Sequence, residues 1–151
     1  MNDLYDTDVV AWSEQQAKLL SRMAAGERVN SVELDWPNIA EEIESLGKSY
    51  RRELRSHIGT VLEHLIKLQA SPALDPRNGW KETIGRSRDD IDLILAESPS
   101  LRHAVPTMIA DETTRSRRRV ARSLGIYNEQ PRVDIDGLTF TEDQVVGDWL
   151  P

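Results

Sequence analysis

"DWPNIAEEIESLGKSYRRELRSHIGTVLEHLIKLQ", Asp35 to Gln69, decides the fold. Beyond Pro37 it holds no proline, and Ile39, Ile43, Leu46, Tyr50, Leu54, Ile58, Val61, Leu65 and Leu68 recur at steps of three and four. That is the period of one helix face. Asp35 offers an N-cap oxygen, and Pro37 falls in the first turn, where its missing N–H costs nothing. Gly47 and Gly59 each weaken a helix by about 1 kcal/mol relative to alanine and mark places for a bend. The stripe nevertheless keeps its phase across both. The spacing predicts one helix of roughly 50 Å, with Ile39 to Leu68 as the central stripe of the protein.

The flanking segments read the same way. A first helix is predicted over Asp8 to Ala25, with Asp6 and Thr7 as capping oxygens, Val9, Trp12, Gln16, Leu19, Leu20 and Met23 on its face, and Gly26 as its stop. "ASPALDPRNG" is a loop, and the helix after it carries Trp80, Ile84, Ile91, Ile94 and Leu95 and ends before Pro99. A fourth helix, capped by Ser98 or Ser100, runs through Leu101, Val105, Met108, Ile109, Val120 and Leu124 to Gly125, with Pro106 kinking or restarting it. After the irregular "NEQPRVDIDG", Thr141 and Gln144 form a capping box for a last short helix. Strand-like alternation is confined to "RVDIDGLTF", which Gly137 breaks. The expected fold is all-α: an antiparallel bundle of about four main helices plus a short C-terminal helix, one domain over residues 1–151.

A chain of 151 residues buries a core without disulfide or metal support. The absence of cysteine excludes a disulfide framework, a thiolate zinc site and a cysteine nucleophile together. It suits a reducing compartment. The opening "MNDLYDTDVVAW" is acidic rather than leader-like, and no run approaches the roughly 18 apolar residues of a membrane span. A cytoplasmic protein without membrane contact is expected. The net charge of −7 is uneven, since the first fifty residues hold ten acids against four bases. Such a chain repels phosphate backbones unless a local patch intervenes, and the one candidate patch is "RSRRRVAR", Arg115 to Arg122.

Several long stretches also resemble a known family. "LYDTDVVAWSEQQAKLL", "ELDWPNIAEEIESLGKSYRRELRSHIGTVLEHLIKLQ", "GWKETIGRSRDDIDLILAESPSLR" and "TFTEDQVVGDWLP" stand in the order found in the bacterial, cyanobacteria-rich domain of unknown function family 29. The resemblance implies an all-helical domain that usually stands alone, and it carries no assigned activity. Pro106 and the arginine run depart from the long hydrophilic helix usual at that point in the family.

His57 and His64 fall within one arc of the long helix together with Ile39, Leu46, Tyr50 and Val61. In the fourth helix Glu112 interrupts the apolar stripe. Two histidines with Glu112, or with Glu53, would suit a three-ligand metal site with one open position. A structural reading competes and is preferred. Glu53 lies four residues before His57, close enough to pair on the same helix, and a seven-residue gap matches no helical metal motif.

Arg115, Arg118, Arg119 and Arg122 share a face, but no aromatic side chain interleaves them for base stacking. Nucleic acid is therefore the lesser reading, behind an acidic protein patch such as the first third of a second copy. Trp12, Trp36, Trp80 and Trp149 read as anchors at helix ends, and Trp149 either packs on its own bundle or reaches a partner. No phosphate loop or serine elbow is present, so no cofactor is expected. The expected function is non-enzymatic protein–protein interaction or self-association. The alternative is a metal-binding protein or metal-dependent enzyme using His57, His64 and Glu112.

Overall fold

The computed structural model describes residues 4–151. It is all-α, with no strand among the described residues. Contacts gather into two compact units, one ending at Ser49 and the other running from Tyr50 to Pro151.

In the first unit α1 (Leu4–Thr7) and α2 (Val9–Ala24) form one arm of a helical hairpin. The cap of α2 is Asp8, whose carboxylate accepts from the Ala11 N–H at 3.0 Å, rather than Asp6 or Thr7. Gly26 ends the arm with φ at +84°, a region that favours a residue without Cβ. A 3₁₀ turn, Ser31–Glu33, leads into α3 (Trp36–Ala70). Trp12, Leu19, Leu34 and Ile39 make the small core, with the Tyr5 ring edge-on to Trp12 at 4.8 Å.

Polar groups latch the hairpin at its turn. The Asp35 carboxylate accepts from Asn38 Nδ2 at 2.8 Å and from Trp12 Nε1 at 3.0 Å. The Asn38 bond, supported by that from Trp12, holds the Asp35 carboxyl below the usual carboxylate range against the opposing effect of burial. Gln16 is buried with both ends of its amide used. Its Oε1 accepts from the Asp35 N–H at 2.8 Å, and its Nε2 donates to the Glu33 carbonyl at 3.2 Å. At the far end of the hairpin the Tyr5 hydroxyl donates to Glu42 at 2.7 Å, which raises the Tyr5 pKa to about 12.

The predicted stripe departs from the structure here. Ile43 and Leu46 are 68% and 61% exposed, although they follow the buried Ile39 in phase. Among the described residues, the covering arm ends where Tyr5 meets Glu42, so the next turn of α3 lies bare. Trp36 is likewise exposed, and it, Val9 and Met23 lie outside the core.

In the second unit α3 continues unbroken to Ala70. It is followed by α4 (Arg77–Glu97), a 3₁₀ segment (Pro99–Ala104), α5 (Val105–Ile126), a 3₁₀ turn (Ile135–Gly137) and α6 (Glu142–Val146). The helix α4 starts at Arg77, inside the stretch read as a loop. Pro106 falls in the first turn of α5, where it needs no N–H partner, so the predicted fourth helix is restarted rather than kinked. Arg77 Nη2 donates to the Leu68 carbonyl while His57 faces Asp90, which sets α4 antiparallel to α3. Along α5 the partners Asp111, Ser116 and Arg119 meet Arg55, Gly59 and Glu63 in rising order, so α5 returns parallel to α3.

Successive helices alternate in direction around a core that includes Leu54, Ile58, Leu62, Leu65, Ile84, Ile91 and Val105. Each such side chain contributes about 1.5–3 kcal/mol through burial. The capping box at Thr141 and Gln144 is formed as the spacing predicts.

Candidate functional site

The structure does not join the histidines to Glu112. His57 Nδ1 lies 3.7 Å from Asp90 on α4, and its Nε2 lies 3.9 Å from Glu53 one turn back. His64 Nδ1 stands 2.8 Å from the Thr60 carbonyl, which can only accept, so that nitrogen is the protonated donor. Glu112 is only 3% exposed and sits where α5 crosses Gly59, with Arg115 at 3.2 Å and Arg55 at 3.7 Å. A buried carboxylate between guanidiniums is held as an ion-pair partner. Among the described residues no three histidine, aspartate or glutamate side chains gather as a metal would require. Zinc added to the chelator-treated protein is expected to leave its melting temperature unchanged. A rise in the parent that is absent from His57→Gln/His64→Gln would establish the histidines as ligands.

The arginine stripe lies on α5. Arg115 is tied to Glu112, and Arg119 approaches Glu63 at 3.9 Å. Arg118 and Arg122 are exposed, with no carboxylate within ion-pair distance among the described residues. Ile126 follows Arg122 by four residues and therefore prolongs the same face; it is 69% exposed. On the side of α5 away from this stripe is a cleft of about 430 Å³, its lining including Lys67 of α3, Trp80 of α4, Val120 and Leu124 of α5, and Tyr127 and Glu129 just past α5. Tyr127 stands at its lip, 73% exposed. Arg117, which the shared-face reading leaves out, points elsewhere: its guanidinium donates to the Leu138 carbonyl and ties down the segment after α5.

Trp149 takes the first of its two alternatives. Its ring packs edge-on to Phe140 at 6.4 Å and against the main core. The clamp that holds this region was not singled out by sequence reasoning. Arg88 donates to the carbonyls of Gln144, Val145 and Trp149 at 2.9, 3.0 and 2.7 Å. Burial lowers the Arg88 pKa, and Asp148 opposes that effect.

The bare turn of α3 is the other surface feature. Trp36, Ile43 and Leu46 fall within one arc, and a groove beside Ile43 is lined by Pro37, Ala40, Glu41, Glu44 and Lys48. It is an apolar ridge with charged flanks, Glu41 and Glu44 on one hand and Lys48, paired to Glu44, on the other.

These features define an all-helical protein whose described residues include no helix long and apolar enough to cross a membrane. The chain matches the family described as "Domain of unknown function DUF29" over residues 4–147, and it belongs to that family. No curated protein and no solved structure matches it.

Proposed function

We propose that the chain is a protein-interaction module, non-enzymatic, that docks its partner on the ridge of α3 in the first unit. The observation that carries this reading is the exposure of Ile43 and Leu46, one turn apart on a helix, beside the buried Ile39 and the exposed Trp36. Single exposed aliphatic residues are ordinary, whereas a contiguous apolar ridge with a polar rim is the usual form of a docking surface. The zero cysteine count supports a reducing compartment such as the cytoplasm as its setting.

Changing Ile43 and Leu46 to aspartate tests the reading. The two side chains contact little, so the variant is expected to melt within about 0.5 kcal/mol of the parent in stability. It is also expected to lose every complex, with itself or with other proteins, that the parent forms in native extract. Complexes recovered equally with both proteins would sink the proposal, as would a parent that forms none.

A further inference from the structure

We propose that the partner of the α3 ridge is a second copy of this chain, which receives it on the arginine stripe of α5. This rests on the interaction reading above. Charge selects the pairing. The ridge is flanked by Glu41 and by Glu44, the latter 3.9 Å from Lys48, in a segment where residues 4–49 hold nine acids and four bases. Ridge against ridge would set carboxylates face to face, which opposes a like-with-like dimer.

The α5 stripe offers the opposite charge in the form of Arg118 and Arg122, the two guanidiniums that no carboxylate of their own chain engages among the described residues. It also offers apolar surface. Ile126, exposed, continues the stripe one turn beyond Arg122. Ile43 and Leu46 of the incoming copy are two aliphatic side chains one helical turn apart, and they can pack on Ile126 while the guanidiniums meet the carboxylates. Each copy carries both faces, so two copies related by a two-fold axis satisfy the contact twice, and a rotation that does not close builds a ring or a chain.

Two charge-reversed variants of the full chain test this, Glu41→Lys/Glu44→Lys and Arg118→Glu/Arg122→Glu. All four side chains are exposed, and circular dichroism checks that both variants keep the parent's fold. Mass is then read by sedimentation over a concentration series at low salt. The parent is expected to associate, and each variant alone to associate about tenfold more weakly or not at all. An equal mixture of the two should recover association, because each reversed face then meets its reversed complement. A mixture that stays monomeric while the parent associates overturns the pairing of these faces. A parent that is monomeric throughout overturns self-association. If that monomer still forms complexes that Ile43→Asp/Leu46→Asp abolishes, the interaction reading stands with a different occupant.

Discussion

Replacing Arg88 with alanine is expected to release the segment from Thr141 onward and to cost about 2–4 kcal/mol of stability. The guanidinium spans three carbonyls, two of them at the end of α6. The last four carbonyls of any helix lack partners within it, and in a helix of five residues they are most of the total. A cation there also meets the negative end of the helix dipole. Once the fork is gone, α6 keeps its capping box at the N-terminal end but only the Gly147 N–H bond to the Asp143 carbonyl at the other.

Val145, fully buried in the main core, and the Trp149 and Phe140 rings then lose the tether that holds them against that core. Lysine keeps the charge but not the planar fork, so Arg88→Lys is expected to recover little. Hydrogen exchange should show lost protection in residues 141–151, with a melting temperature lower by about 10 °C. Unchanged protection there in Arg88→Ala would falsify the clamp.

The contrast between this clamp and α3 shows what a sequence exposes. The long helix is legible because its cues are local: Asp35 before Pro37, a stripe that holds phase across two glycines, and no internal proline. The capping box at Thr141 is legible for the same reason. Arg88 is not, because nothing near it in sequence names three carbonyls 56 to 61 residues away. Periodicity also reports which residues share a face, without reporting whether another element covers that face. Ile39 and Ile43 fall within about 40° on the wheel, yet Ile39 packs with Trp12, Leu19 and Leu34 while Ile43 is bare.

The boundary at Ser49 is silent for a similar reason, since the stripe runs through it in phase. Glu112 is the reverse case. A carboxylate interrupting an apolar stripe invites a reading as a ligand, but its environment depends on which residue of α3 faces it. That residue is Gly59.

The two glycines of α3 should therefore respond to substitution with opposite signs. A Cβ added at Gly47 meets nothing within 4 Å. Gly47→Ala accordingly recovers only the helix propensity that glycine withholds, and about 1 kcal/mol of added stability is expected. At Gly59 the same Cβ would lie 3.0 Å from Glu112 Oε2 and 3.7 Å from its Cδ. Glu112 has little room to yield, since it is buried and held between Arg115 and Arg55. The backbone is engaged as well, because Ser116 Oγ donates to the Gly59 carbonyl at 3.3 Å.

A branched side chain at this crossing must push α5 off α3 or expel the carboxylate from its ion pairs. Overpacking of this kind costs about 1–3 kcal/mol, and disturbing a buried charge adds to it. Gly59→Val is expected to lose about 3 kcal/mol in urea denaturation, the improved helix propensity offsetting only a few tenths. Combining it with Glu112→Ala identifies the source of the loss. If the valine costs less in that background, the carboxylate is the obstacle and the two sites are coupled. If its cost is undiminished, the close approach of the two helix backbones is what requires glycine.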